Sequence, residues 1–166
     1  MTAATEGAVR VWGRIEAADP PVRRHNFDQL LKMARRMFET RRDRFPALIA
    51  SGELAADDAA FEIATFEDLV ADWTFIARAG CEGEPASSPS LPARRVFLAQ
   101  SIDTIAGIAA EAGGFSKSLH AQAECVIALA WHAEPGRDQV ALARLTQKLR
   151  ADAAAANTSR EPAACN

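Results

Sequence analysis

The sequence has little of what a membrane span or an extracellular fold requires. Its 166 residues include no tyrosine and only three cysteines, Cys81, Cys125 and Cys165. An odd number of widely separated cysteines favours a reducing compartment over a disulfide framework. The longest apolar run, from Cys125 to Trp131, is far shorter than the ~20 residues that a transmembrane helix needs. The N-terminus shows no signal-peptide pattern. We therefore expect a soluble, cytoplasmic protein with no membrane partner.

Motifs that specify a reaction are also missing. The chain has no H-E-x-x-H, C-x-x-C or G-x-S-x-G sequence, and no paired Glu-x-x-His motifs of di-iron bundles. His120 and Glu124 lie one helical turn apart, but zinc needs a third protein ligand and none is evident. We predict no catalytic residues, no metal and no cofactor. An enzyme with an unrecognised site near His120 and Glu124 is the weakest of three hypotheses.

What the sequence does have is the composition of one globular domain. Apolar residues make up 49% and charged residues 25% of the chain, which is typical of a folded protein. Arginine greatly outnumbers lysine, 16 to 3, and alanine is abundant. This usage is typical of GC-rich bacterial genomes, so arginine abundance alone is no evidence of a nucleic-acid partner.

Hydrophobic periodicity predicts an all-α fold with about five helices. Apolar residues recur at spacings of three and four, the pattern of an amphipathic helix. The helices are predicted at 27–44, 56–79, 91–112, 117–133 and 138–156. We expect them to pack as an antiparallel bundle or an orthogonal helical array. The last helix is predicted to present Leu142, Leu145, Leu149 and Ala153 as its apolar stripe.

The organisation predicted along the chain is one helical domain with flanking segments. The parts are an N-terminal arm at 1–25, the domain at 26–156 and a flexible tail at 157–166. Within the domain, a hairpin half (26–79) and a three-helix half (91–156) are joined by a linker at 80–90. Val9–Ile15 alternates like a strand, but a lone strand needs a partner. An irregular arm covering the bundle through Trp12 is favoured, with pairing to a second copy as the alternative.

Local signals define the predicted N-terminal hairpin. Asn26 is a candidate N-cap of the first helix, with Gln29 completing a weak capping box. Phe45 precedes Pro46 and is thereby biased out of the helical region, so the first helix should end there. Pro46 would then begin a short turn of helix that Gly52 ends.

Charge is segregated between these two helices. The segment 23–44 has eight Lys/Arg and three Asp/Glu, whereas 45–86 has one Arg and nine Asp/Glu. The basic helix could contact nucleic-acid phosphates. Mutual neutralisation along the hairpin is favoured over that interpretation, because the acidic neighbour opposes the field of the basic helix. The candidate nucleic-acid patch consists of Lys32, Arg35, Arg36 and Arg42.

Two charges fall inside apolar stripes. Projected at 100° per residue, Arg41 lies in the stripe of the first helix and Glu62 in that of the second. A lone buried charge is costly, so each should bind the other. The sequence therefore predicts an Arg41–Glu62 ion pair across the hairpin.

Phe61 and Phe75 project from the side of the second helix opposite its main apolar stripe. A second contact surface on this helix is therefore expected, against another helix or a second subunit. We predict that Phe61 and Phe75 form an exposed surface for a protein partner or for self-association.

The stretch around this turn resembles a segment of known proteins. Residues 42–54 read R-x-x-F-P-x-L-I-x-x-G-x-L, and the pattern continues through Glu62 to Leu69. It resembles a segment of small, uncharacterised helical proteins of bacteriophages and prophages, with Phe45, Ala55 and Phe66 departing from their usual residues. The resemblance implies a phage or prophage origin and a helical hairpin, and it carries no catalytic residues.

The leading functional hypothesis is therefore a non-enzymatic helical protein of phage or prophage origin that acts by protein–protein contact. The main alternative is a phage nucleic-acid accessory protein that uses the basic helix.

Overall fold

A computed structural model describes residues 7–159 as five α-helices and a two-stranded β-sheet. The elements are β1 (Val9–Trp12), β2 (Ile15–Ala18), α1 (Phe27–Ala50), α2 (Ala56–Ala77), α3 (Leu91–Glu111), α4 (Lys117–His132) and α5 (Gln139–Thr158). The prediction of a mostly helical fold with five helices is confirmed, and the sheet is an addition to it. Across 7–159, no helix combines the length and the apolar character that crossing a membrane requires.

The N-terminal segment is a β-hairpin, so the expectation of an irregular arm was wrong. β1 pairs antiparallel with β2, and the two are joined by Gly13 and Arg14. Gly13 has φ +59°, which suits the first central position of a two-residue hairpin turn. A side chain at Gly13 would clash with the carboxylate of Asp103 on α3. Trp12 is buried in the core, as its role in covering the bundle required.

The sequence predicted that the first helix ends before Pro46, and this prediction was wrong. Helix α1 continues to Ala50 with Pro46 inside it. Phe45 is buried, and this packing holds the last turn helical despite the missing proline N–H. Gly52, with φ +77°, ends the helix as expected. The Gly52 N–H donates to the Ile49 carbonyl, and the N–H of the next residue donates to the Leu48 carbonyl, the Schellman pattern.

Helices α1 and α2 run in opposite directions along each other. Arg41, late in α1, contacts Glu62, early in α2. At the other end, Arg78 Nη1 lies 3.2 Å from Asp28 Oδ1. The basic and acidic helices are therefore neighbours, as the charge pattern required.

The helix N-termini differ in how they are capped. Asn26 stands at the start of α1 but its side chain makes no capping hydrogen bond, so that predicted cap was wrong. Ser90 caps α3, with Oγ accepting from the Ala93 N–H at 3.4 Å. Ser116 and Asp138 cap α4 and α5 in the same way.

The core is centred on α4, which is buried on nearly every side. Five consecutive residues, from Cys125 to Leu129, are each at most 8% exposed. Consecutive buried positions leave no solvent face, so α4 packs against its neighbours all round. Trp12 from the hairpin, Leu30 from α1, Phe66 from α2 and Leu98 from α3 belong to the same hydrophobic cluster.

Helix α5 sits at the edge of this core. Its one buried residue is Ala143, which packs near Gly80 and Phe75 at the end of α2. The helix reaches Thr158 and so enters the segment predicted as a flexible tail. Predictions for 1–6 and 160–166 lie outside the described residues.

Candidate functional site

The predicted Arg41–Glu62 pair is present as a joint between three helices. Arg41 Nε lies 2.6 Å from Glu62 Oε1, and Arg41 Nη2 donates to Ser101 Oγ of α3 at 3.0 Å. Nη1 donates to the Met37 carbonyl, and the guanidinium stacks 3.7 Å from the Phe66 ring centre. Burial lowers the pKa of Arg41, and the bond to Glu62 opposes that shift. All three nitrogens are engaged, so this pair is structural.

The candidate nucleic-acid patch is exposed on α1. Lys32, Arg35, Arg36 and Arg42 are all exposed. Arg42 Nε lies 3.9 Å from Asp43 Oδ1. The other three side chains have no carboxylate within 4 Å among residues 7–159. None of these three cations is therefore paired with an α2 carboxylate in the described part of the chain.

The two phenylalanines proposed as a partner surface have different environments. Phe61 is 52% exposed, with its ring edge-on to Phe97 at 6.0 Å. Phe75 is only 2% exposed, so its prediction as part of an exposed surface was wrong. Its side of α2 is covered by α5, where the Arg144 guanidinium lies 5.6 Å from the Phe75 ring centre. The second contact surface of α2 is therefore used within the same chain around Phe75, where α5 packs on it.

The predicted apolar stripe of α5 faces solvent. Leu142, Leu145 and Leu149 are each more than half exposed. Ala153 and Ala156 extend the stripe along the same face, because the spacings of three, four and seven residues keep a helical face in line. Since α5 packs on the fold through its opposite side, the stripe has no partner among the described residues.

His120 and Glu124 lie beside a cavity of about 280 Å³ between α4 and the N-terminal hairpin. His120 is exposed and its Nδ1 is 3.7 Å from Glu124 Oε1. Glu124 is held by Arg23, whose Nε lies 2.6 Å from Oε2. The only further carboxylate lining this cavity is Glu16, and no group of three His, Cys, Asp or Glu suited to a metal ion occurs in 7–159. Nearby on α4, burial raises the pKa of the Cys125 thiol, which keeps it protonated.

A buried ion pair that the sequence analysis missed joins α2 to α3. Arg94 Nη1 donates to Asp72 Oδ2 at 2.8 Å, and both side chains are less than a tenth exposed. Asp72 Oδ1 accepts from the Ala86 N–H at 2.8 Å, which fixes the connector before α3. Arg94 Nε and Nη2 are buried and have no hydrogen-bond partner.

The last residue of α4 brings a second buried polar group close by. His132 Nε2 lies 2.7 Å from the Arg24 carbonyl oxygen. A carbonyl only accepts, so Nε2 carries the proton and Nδ1 is left as an acceptor. Nδ1 is buried without a partner, and the rings of Trp73 and Trp131 pack edge-on to the imidazole.

Asp72, Arg94 and His132 line one cavity of about 410 Å³, called the Arg94 cavity below. It is bounded by α2, α3, the end of α4 and the start of α5. The sequence did not indicate that these three residues lie together, and Arg94 was not singled out at all. Arg94 stands between Leu91 and Leu98 at helical spacing, the same signal that identified Arg41.

Because the His132 imidazole is buried, we expect the free energy of unfolding to depend on pH. Burial lowers the pKa of His132 below its ordinary 6.5, the bond to Arg24 opposes this, and His25 and Arg137 lower it further. As pH falls through about 6.5, the unfolded chain takes up this proton before the folded chain does. The free energy of unfolding should therefore drop toward pH 5, with a slope of at most ~1.4 kcal/mol per pH unit from this group.

Denaturant unfolding from pH 7.5 to 5 measures this dependence, with His132→Gln as the matched variant. Glutamine keeps a donor for the Arg24 carbonyl and does not titrate. The variant should show a shallower loss of stability than the parent chain. Equal slopes in both chains would contradict the assignment of the effect to His132.

Comparisons with protein-family models, with curated proteins and with solved structures found no match to this chain. The site geometry is therefore the basis on which a function is proposed.

Proposed function

We propose that this chain is a non-enzymatic helical protein that acts by protein–protein contact, and that α5 is the contact helix. The observation that carries the proposal is the exposed stripe of Leu142, Leu145 and Leu149 on α5. Three half-exposed leucines at heptad spacing are costly to hold in water and suit a helix partner. Exposed Phe61 on α2 remains a candidate for a further contact.

We take the partner of α5 to be a second copy of the same chain. In an antiparallel pair about a two-fold axis at Leu149, Leu142 faces Ala156 and Leu145 faces Ala153. Large residues then oppose small ones along the seam, the arrangement that close helix packing favours. Lys148 and Asp152 pair within α5 at 2.7 Å along one border of the stripe.

Analytical ultracentrifugation tests the dimer directly. The parent chain should sediment as a dimer at tens of micromolar, a concentration range typical of modest interfaces. Leu149→Lys should give a monomer, because it sets two ammonium groups face to face at the axis. Val96→Lys, at an exposed apolar position on α3, is the matched control and should leave the dimer intact.

A cross-link locates the axis. Leu149→Cys should form an intermolecular disulfide with its own copy under mild oxidation, because the two Cβ atoms meet at the two-fold axis. The parent chain, which has exposed Cys81, serves as the control for unrelated cross-links. A parent chain that stays monomeric, or a Leu149→Cys variant that cross-links no faster than the parent, would overturn this interface.

The second candidate function is nucleic-acid binding through α1. The observation that favours it is that Lys32, Arg35 and Arg36 are exposed without a carboxylate within 4 Å in the described part of the chain. Phosphate contacts by three cations would weaken with salt at a log–log slope of about −2 to −3. Titration of duplex and single-stranded DNA over a salt range of about 25 to 200 mM, with Lys32→Gln/Arg35→Gln/Arg36→Gln as the comparison, tests this. Absence of binding at the lowest salt would exclude it.

The resemblance of residues 42–69 to phage and prophage proteins supports a phage or prophage origin, and the arginine- and alanine-rich composition supports a bacterial one. The odd number of widely separated cysteines supports a reducing cytoplasm. The origin and the compartment are both part of the proposal. The identity of the neighbouring genes tests the phage origin, because phage genes of related function are grouped together.

A further inference from the structure

Strand β2 has a free edge. It pairs with β1 on one side, and its other side has no strand partner among residues 7–159. The Asp19 N–H donates to the Ala8 carbonyl across the hairpin at 2.8 Å. Because backbone groups alternate between the two edges of a strand, those of Glu16 and Ala18 point away from β1. They make no hydrogen bond within the described part of the chain, so this edge can accept a further strand.

The free edge of β2 borders the cavity of about 280 Å³ between the hairpin and α4, called the β2 groove below. Helix α4 contributes Ala123 and Ile127 to the groove, and Val22 and Phe115 also line it. Val22 is 61% and Phe115 43% exposed, so two large apolar side chains meet water here. The volume is below the ~300–1,000 Å³ of typical small-molecule sites. It suits the side chains that an extended chain presents at every second residue.

The charged groups that line the groove beside Glu16 are already engaged within the protein. Glu124 Oε2 lies 2.6 Å from Arg23 Nε. Arg14 Nη2 donates to the Asp103 carbonyl of α3 at 2.8 Å. Since the α4 wall is apolar, we expect the residues of an added strand that face the groove to be apolar as well.

Glu16 sets a different requirement on the other face of the hairpin. Side chains alternate along a strand, so Glu16 lies on the face opposite to buried Ile15. Glu16 is exposed, and no cation lies within 4 Å of its carboxylate in the residues that the structure describes. Its cross-strand neighbour in β1 is Val11, which offers no charge. A Lys or Arg directly opposite Glu16 on an added strand would pair with it.

We propose that the β2 groove binds an extended segment of another protein by strand addition. Apolar residues of the segment face the groove, and a Lys or Arg between them lies opposite Glu16. Backbone hydrogen bonds to Glu16 and Ala18 supply affinity, and the apolar–basic–apolar alternation supplies specificity. This site is separate from the α5 contact and does not depend on it.

A second copy of the chain matches the groove less well than such a segment. Pairing two β2 edges would bring two α4 helices into the space of one groove, because α4 borders this edge in each copy. The free edge of β1 presents the backbone groups of Val9 and Val11, so pairing it with β2 would leave Glu16 opposite a valine. A single extended segment avoids both conflicts.

The probe is the peptide acetyl-Thr-Val-Lys-Val-Thr-amide, whose side-chain pattern is the same in both strand directions. In an NMR titration of the full chain to about 5 mM peptide, the Glu16 and Ala18 amide resonances should shift saturably. The same peptide with an N-methylated lysine amide cannot donate to the Glu16 carbonyl, and should bind roughly tenfold more weakly. Leu149→Lys should bind the probe like the parent chain, because Leu149 is not part of the groove.

Charge reversal tests the basic residue. Glu16→Lys should weaken binding of the lysine peptide by roughly fivefold, and acetyl-Thr-Val-Glu-Val-Thr-amide should bind this variant better than it binds the parent chain. Glu39→Lys makes the same change in net charge at an exposed site on α1 and should leave both affinities unchanged.

Three results would overturn the proposal. Absence of a saturable shift, or equal binding of the N-methylated peptide, would exclude strand addition. Equal binding of the lysine and glutamate peptides by the parent chain would exclude a basic partner segment. Shifts of the Glu16 and Ala18 amides on concentrating the Leu149→Lys chain alone would assign the groove to a second copy instead.

Discussion

Replacing Asp72 by alanine should destabilise the fold by about 3–5 kcal/mol, the usual cost of stranding a buried charge. The variant leaves the Arg94 guanidinium, less than a tenth exposed, without its carboxylate. It also removes the acceptor of the Ala86 N–H, which fixes the connector to α3. Denaturant unfolding of the parent chain and the variant measures the difference.

Asp68→Ala is the matched control, one turn earlier on the same helix. Asp68 is half-buried and makes no hydrogen bond or ion pair to another described side chain, and burial raises its pKa. Its replacement should change stability by less than ~1 kcal/mol, because no hydrogen bond or ion pair is lost and burial already disfavours the charged carboxylate. A double variant, Asp72→Leu with Arg94→Met, should recover much of the loss, because apolar residues can replace a buried pair. If Asp72→Ala unfolds no more readily than Asp68→Ala, the pair has no structural role.

Phe75→Ala should also cost about 3–5 kcal/mol, the range for large-to-small changes at buried aromatic positions. Phe75 is 2% exposed beneath α5, so its loss leaves a cavity between α2 and α5. Phe61→Ala should cost about 1 kcal/mol or less, because half of that ring is already in water and its contact with Phe97 is a single edge.

Thermal or denaturant unfolding of the two alanine variants measures this contrast on one helix. The sequence treats both rings as one surface, whereas the structure predicts opposite consequences. Comparable losses in both variants would contradict the packing of α5 over Phe75.

Helical periodicity was sufficient for the number of helices and for most of their bounds, because burial repeats with the helical turn. It was also sufficient for the Arg41–Glu62 joint, where two charges interrupt apolar stripes. Where tertiary packing overrides a local preference, the sequence misled: buried Phe45 holds α1 helical through Pro46. The missed hairpin had a signal in Gly13, since Gly followed by any residue suits a two-residue turn.

The Arg94 cavity was predictable only in part. Asp72 stands between Leu69 and Ile76 at helical spacing, and Arg94 between Leu91 and Leu98, so both interrupt apolar stripes as Arg41 does. Pairing them requires knowledge of which helices are neighbours, and that depends on the path of the 80–90 connector. The exposure of the α5 stripe could not be predicted for the same reason. A sequence pattern shows that a helix has an apolar face, but it does not show whether another part of the chain covers that face.

The enclosure of residues 125–129 of α4 sets the order in which parts of the molecule lose their structure. Backbone amides at 125–129 are reached by water only when the surrounding helices separate, so they should be the slowest to exchange their hydrogens. Helix α5, with one buried residue, can detach while that enclosure persists. Amides of α5 should therefore exchange well before those of 125–129, which hydrogen exchange followed by NMR or mass spectrometry would measure.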